Sequence, residues 1–250
     1  MSFLAAPLFG EKHFIGLVFV LLLYLTVGGF LNKRNLSNKK ILLGFMIVFF
    51  VLEIIKLTYI TIEDGSFPIY QLPFHMCSIP LYLYPLMMFL KPGLVVERFI
   101  KPAAYTIVLL AGVMALAMPT TIIGNDINWF PLSENILPIL SFIYHGFMIF
   151  TSIYLLKSHI YNFMISDYKN VVIIAIIFAL MAITMNNLLD KDFMMLNRGT
   201  GSPFQFLIEI SKPLYISTMV GLALILIGLD FVITDAIVNP RRVSDKVKAH

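Results

Sequence analysis

The sequence predicts an all-α membrane protein: a bundle of seven transmembrane helices with the N-terminus outside and the C-terminus in the cytoplasm. Three observations predict it. Apolar residues make up 59% and charged residues 13% of the 250 positions, where a soluble globular domain carries about 45–50% and about 25%. Mean hydropathy is +0.89. Lysine and arginine segregate between alternate loops. This composition excludes a disordered chain, a coiled coil, a solenoid and a nucleic-acid-binding domain. The net charge of +4 therefore belongs to loop topology, with no nucleic-acid partner implied. The single cysteine, Cys77, excludes an internal disulfide framework and a Cys-based zinc site.

A spanning helix needs about 20 mostly apolar residues. The hydropathy pattern places such stretches at 13–31, 41–62, 73–90, 99–118, 136–156, 171–189 and 213–234. They form one domain over 1–234, followed by a short basic cytoplasmic tail at 235–250. The third stretch, QLPFHMCSIPLYLYPLMMFL, is interrupted by three prolines and a histidine. The fourth stops at Pro119. Loops 32–40, 91–101 and 157–170, with the tail, carry thirteen lysines and arginines; the other side carries four, Lys12, Lys191, Arg198 and Lys212. The positive-inside rule puts the thirteen in the cytoplasm, which makes the number of crossings odd. The charge cluster follows the first apolar stretch, so that stretch reads as a retained anchor and not as a cleaved signal peptide.

Ionisable groups at membrane depth are expensive and call for a reason. Glu53 and Lys56 stand three residues apart in the second span, on one helix face. They read either as a mutually neutralised packing pair or as a charge facing a cavity. His75 lies near the outer start of the third span, and Cys77 and Ser78 follow. On a continuous helix His75 and Cys77 point to opposite sides, unless Pro73 or Pro80 unwinds the turn. A lone cysteine in an apolar helix is commonly an inert small hydrophobe. Ser141, His145 and Ser152 form one polar stripe on the fifth span, which must face protein or water. Asn186 and Asn187 end the sixth span, where capping is their plainest role. The segment 190–213 mixes charges with Phe193, Met194, Met195, Phe204 and Phe206, and is long enough to be a lid or binding loop.

With the predicted orientation, Glu53, Lys56, His75, His145, Asn186 and Asn187 all fall in the outer half of the membrane. Asp230, near the cytoplasmic end of the last span, is the exception. A single outward-facing polar pocket requires such a common depth. The sequence has no phosphate-binding glycine loop, no Gly-x-Ser-x-Gly elbow and no paired-histidine zinc helix, so no cofactor and no metal is implied. The seventh span has no lysine for a retinal Schiff base. A histidine base beside a hydroxyl or thiol suits acyl transfer or ester hydrolysis.

The run QLPFHMC at 71–77, YHGFMIFTSIYLL at 144–156, MNNLLDKDFMML at 185–196 and KPLYI at 212–216 together resemble the YwaF-like family of bacterial integral membrane proteins. That family is distantly similar to the animal transmembrane protein 164 acyltransferase family. The resemblance implies acyl transfer on phospholipids through a Cys beside a His after a Pro. Pro73 and His75 match that motif, and His145 and Asn187 match later positions. Phe74 stands where the cysteine belongs, with Cys77 three residues on. The leading expectation is a plasma-membrane enzyme acting on lipid acyl groups, a phospholipid acyltransferase or hydrolase. Its catalytic residues would be His75, His145, Cys77 and Asn187. Glu53, Lys56, Ser78, Ser141 and Asn186 would bind substrate. The alternatives are a small-solute or ion carrier, and a non-catalytic assembly or sensor component.

Overall fold

The computed structural model describes residues 10–34, 36–91, 93–117, 132–200 and 202–239. The described residues are helical, with no strand among them. Six helices are long and apolar enough to cross a membrane. They are α1 (Glu11–Lys33), α2 (Asn38–Asp64), α4 (Glu97–Ala117), α5 (Leu132–Lys157), α6 (Tyr168–Leu189) and α8 (Lys212–Val238). Two shorter helices, α3 (Pro80–Phe89) and α7 (Phe206–Ile210), complete the order. Most of the long helices begin two to four residues before the apolar stretch that predicts them. Hydropathy marks the hydrocarbon layer, while helical hydrogen bonding continues into the polar interface. The last helix likewise runs on to Val238, past the predicted start of the tail. The stop at Pro119 and the basic tail residues Arg241, Arg242, Lys246 and Lys248 lie outside the described residues.

The third predicted span is the main difference. Residues 73–90 do not form a helix of spanning length. An irregular segment descends from Gly65 and carries a one-turn 3-10 helix at Met76–Ser78. The ten-residue α3 follows, about 15 Å long against a hydrocarbon core of about 30 Å. Prolines are the reason. Pro68 and Pro73 donate no backbone hydrogen bond, and Leu72, just before Pro73, is extended at φ −52° and ψ 147°, as sterics before proline favour. Pro80 then sits in the first turn of α3, where its missing N–H costs nothing.

The core is built around α4. It packs against α3, α5, α6 and α8. Its inward face is small: Ala103, Ala104, Ala111 and Ala115 are buried, which lets neighbouring backbones approach closely, the usual device where lipid removes the hydrophobic drive between helices. The approach is closest at Gly112, where a Cβ would lie 2.8 Å from the backbone oxygen of His145 on α5. An aromatic cluster joins α2, α3 and α5: Phe49 meets Tyr84, Tyr144 and Phe147 at ring separations of 5.2, 5.4 and 4.8 Å. By contrast α1 packs mainly on α5 and turns Phe14, Leu21, Leu22 and Leu25 outward, toward lipid.

Candidate functional site

Four pieces of chain converge at one end of the bundle. They are α2 at Glu53 and Lys56, the irregular segment 68–79, α5 at Ser141 to His145, and the loop after α6. Irregular backbone at membrane depth is tolerated only when buried in protein or lining a polar cavity. Here side chains hold it. Tyr82 donates its hydroxyl to the Pro73 carbonyl (2.8 Å), and Tyr144 donates to the Cys77 carbonyl (2.9 Å). His75 Nε2 lies 3.0 Å from the Tyr70 carbonyl. That oxygen only accepts, so Nε2 carries the proton and Nδ1 keeps its lone pair. The predicted alternative at the prolines is thus the one realised: the turn is unwound, and His75 and Cys77 are not constrained to opposite helix faces.

Lys56 Nζ lies 2.8 Å from Glu53 Oε1, with the two side chains 26% and 8% exposed. No donor meets that oxygen in hydrogen-bond geometry, so the contact is an ion pair and not a formed hydrogen bond. The pair sits among the other candidates. His75 lies within the field of Lys56, Glu53 and Asp192. Cys77 lies within that of Lys56 and Glu53, with the Ser78 hydroxyl beside its thiol. Tyr144 lies near Cys77 and Glu53, and His145 near Lys56.

His145 is 4% exposed. Its Nδ1 lies 2.8 Å from the Ser141 carbonyl and 3.2 Å from the Ser141 hydroxyl. The carbonyl fixes the proton on Nδ1. Nε2 is then a bare lone pair, buried and without a hydrogen-bond partner. The predicted polar stripe does face protein: Ser152 donates to the Ala104 carbonyl on α4 (3.4 Å).

The two asparagines separate. Asn186 is 2% exposed and tied to Phe193 at both ends of its amide, donating to its carbonyl (3.0 Å) and accepting from its N–H (2.6 Å). Its side chain is a clamp on the loop, with one bond given and one accepted. Asn187, one residue on, turns outward and is exposed. Neither caps the helix, whose C-cap is Asp190 in the left-handed region at φ 51°. The clamped Phe193 ring roofs the site, edge-on to His75 at 5.2 Å and to Phe74 at 5.3 Å. Phe74, at the motif's cysteine position, contributes no nucleophile. It lines a groove of about 380 Å³ with Ile177, Leu180, Met181, Thr184 and Met185 of α6, beside the lipid-exposed Ile176 and Leu180.

The loop after α6 is built, not slack. Asp192 accepts backbone N–H bonds from Asn197 (2.8 Å), Arg198 (2.9 Å) and Thr200 (2.9 Å). Partial burial works against the Asp192 charge, but these donors outweigh it and hold the carboxyl below the usual range. Lys212 donates to Asn197 (2.6 Å), and Tyr215 to the Met195 carbonyl (2.7 Å). Gly199 has φ +62°, and a Cβ there would meet the Tyr215 ring at 2.8 Å. Met194 and Met195 also hold positive φ, at 54° and 58°, strain of the kind that clusters at functional clamps. Sequence reasoning missed Asp192, Phe193 and Gly112 as organisers of the site. A mid-helix glycine opposite the His145 stripe was the available signal for Gly112. Among the described residues no group of three or more His, Cys, Asp or Glu is placed to hold a metal.

These features define a multi-pass helical membrane protein with a buried polar cluster at one end, held under a braced loop. The chain matches the TMEM164 family over residues 8–230 and belongs to that family. Comparison with curated proteins and with solved structures finds no match.

Proposed function

We propose that the protein is a plasma-membrane enzyme that transfers or hydrolyses acyl groups of phospholipids. One observation carries the reading: His145, with a bare ring nitrogen, and His75 lie in the field of a Lys56–Glu53 pair whose carboxylate is buried, beside a free thiol. In this reading the substrate ester enters from the lipid through the groove at Phe74, which has the apolar lining an acyl chain needs. His145 Nε2 takes the proton from the attacking group, either the Cys77 thiol or an acceptor hydroxyl. The bond formed is from that sulfur or oxygen to the acyl carbonyl carbon. Negative charge develops on the carbonyl oxygen and faces the Lys56 ammonium, with Glu53 fixing its position. Collapse breaks the ester C–O bond, and the proton on His145 passes to the departing alcohol; where Cys77 is the attacking group, an acceptor hydroxyl or water then adds to the thioester, its proton passes through His145 to the departing sulfur, and the S–C bond breaks. His75, poised under Phe193, orients the substrate. In this reading Lys56 takes the oxyanion role expected of Asn187, which is exposed.

The same reading assigns seven crossings, with the N-terminus outside. Tyr84 of α3 packs on Phe45 and Phe49 in the first half of α2, while Cys77 is tied to Tyr144. The stretch 68–89 accordingly runs alongside α2 from its last turns back toward its start, half as loop and half as helix. Counting it as a crossing gives the odd number that the lysine and arginine distribution requires.

The test is acyl release and transfer by the purified protein in phospholipid micelles, comparing wild type, His145→Ala and Cys77→Ala. Loss in the His145 variant, with the fold kept, is expected. Loss in Cys77→Ala as well identifies an acyl-enzyme; retention identifies direct attack by the acceptor. Turnover unchanged in His145→Ala overturns the proposal. The carrier reading has one observation in its favour, the broken span lined by a buried ion pair. Glu53-dependent solute accumulation in vesicles, without lipid turnover, would select it.

A further inference from the structure

At the opposite end of the bundle, where α4 begins and α8 finishes, lies a second polar cluster that the acyl-transfer reading does not use. Asp230 and Thr234 stand four residues apart on one face of α8. Tyr105 and Thr106 face them from α4. Thr106 is 0%, Thr234 4% and Tyr105 4% exposed. The Tyr105 and Thr234 hydroxyls are 2.7 Å apart, and both Thr106 and Thr234 direct their hydroxyls toward the Asp230 carboxyl. Yet Asp230 Oδ2 and Thr106 Oγ1 are each buried with no hydrogen-bond partner. They are neighbours, with the Thr106 hydroxyl beside the carboxyl but outside direct hydrogen-bond geometry.

We propose that this cluster binds a small hard cation, a sodium ion, between Asp230 Oδ2 and Thr106 Oγ1, with the Thr234 hydroxyl as a further ligand. A bare carboxylate in a spanning segment is costly unless a cation compensates it. Among the described residues none of the ion pairs involves Asp230. The other charged and titratable groups nearby serve each other. Asp167 accepts from the Tyr161 hydroxyl at 3.0 Å and lies in the field of Arg98, and the Tyr161 ring lies tilted against Tyr105 at 5.8 Å. Carboxylate and hydroxyl oxygens are hard donors that suit alkali or alkaline-earth ions. A single carboxylate balances one positive charge, so a divalent ion would leave net charge buried. Two buried oxygens that are close but unbonded are what a shared ion requires. Such an ion would clip α8 to α4, the helix that backs His145.

The experiment is thermal unfolding of the full chain in detergent at neutral pH and fixed ionic strength, replacing choline chloride stepwise by sodium chloride. The melting temperature of the wild type should rise saturably by a few degrees, as for any ligand that binds only the folded state. Asp230→Asn and Thr106→Val should abolish the rise, and Thr106→Ser should keep it. If Asp230→Asn does not fold, the Thr106→Val and Thr106→Ser pair decides. An equal melting temperature in sodium and choline overturns the proposal. So does a sodium response that survives in Thr106→Val, or a response to pH with none to sodium. Lipid turnover is not part of this readout, so its failure and that of the acyl-transfer reading are separate.

Discussion

Two histidines are buried at α5, His13 packed against it from α1 and His145 on the helix itself, and the difference between their surroundings separates a seam from a candidate site. His13, on α1, is 1% exposed. Its Nε2 lies 2.7 Å from the Leu116 carbonyl, and its ring meets Phe142 edge-on at 5.8 Å. It ties α1 to the end of α4. His145 is buried almost as deeply, but one ring nitrogen has no partner and a charged pair lies within its field. Burial is common to both; an unspent lone pair beside charge belongs to one. Replacing each by alanine should split the two roles. His145→Ala should lower lipid turnover by about 10²-fold or more, with circular dichroism unchanged. His13→Ala should lower stability by about 1–3 kcal/mol, because a buried carbonyl loses its donor. Turnover per folded molecule should stay near wild type. Equal losses of turnover in both variants would erase the distinction.

The ion pairs divide in the same way. Glu53–Lys56 lies in the bundle, whereas Arg198–Asp190 (2.6 Å) has both side chains more than half exposed. Lys56→Met strands a buried carboxylate and should cost about 3 kcal/mol, with most of it restored by adding Glu53→Gln. Asp190→Asn should leave the melting temperature where it was, since water and salt screen that contact. Chemical denaturation of the three variants checks both. A mild Lys56→Met phenotype would mean that the site is wet enough to solvate Glu53 alone.

Much of this contrast was legible in the sequence. The rarity of charge in apolar stretches picked out Glu53, Lys56 and Asp230, and helix periodicity put Ser141, His145 and Ser152 on one face. The prolines of 68–85 marked the third span as irregular, although hydropathy alone still counted it as a helix. What stayed hidden depends on contacts distant in sequence. Nothing local says that Asn186 spends both ends of its amide on Phe193 while Asn187 points away. The Asp192 brace is likewise a backbone-geometry effect, set by positive φ at Met194, Met195 and Gly199, which hydropathy does not read. The meeting of α2, the 68–79 segment and α5 is a consequence of how helices pack around the small face of α4.

Two glycines sharpen the comparison at smaller amplitude. A Cβ at Gly112 would press on the His145 carbonyl and on Met148 and Ile149, whereas a Cβ at Gly221 on α8 meets nothing within 4 Å. Gly112→Ala should destabilise by about 1–3 kcal/mol through overpacking. On the proposed acyl-transfer reading it should also reduce turnover, because the shift falls on the helix that carries His145. Gly221→Ala should be neutral or stabilising by up to about 1 kcal/mol, from the lost flexibility of the unfolded chain. Matching melting temperatures for the two would show that α4 and α5 can separate at no cost.

The smallest expected effect concerns the loop over the site, and it depends on pH. The folded Asp192 carboxyl is held below its ordinary value, because several backbone N–H groups bond its charged form and outweigh burial. A depressed carboxylate contributes stability that is full above the unfolded value, about 3.9, and is lost as pH falls through the folded value. The amides of Asn197, Arg198 and Thr200 should therefore show steady hydrogen-exchange protection, after correction for intrinsic rates, from neutral pH to about 4. They should lose it in more acidic solution, before the amides of α4 do. Asp192→Asn retains an acceptor but not the charge, so it should show the reduced protection at neutral pH and remove the acid step. If the loop stays protected in acid, or if the acid step persists in the Asn variant, the brace is not Asp192. The clamp of Asn186 on Phe193 would then be what holds the roof over His75.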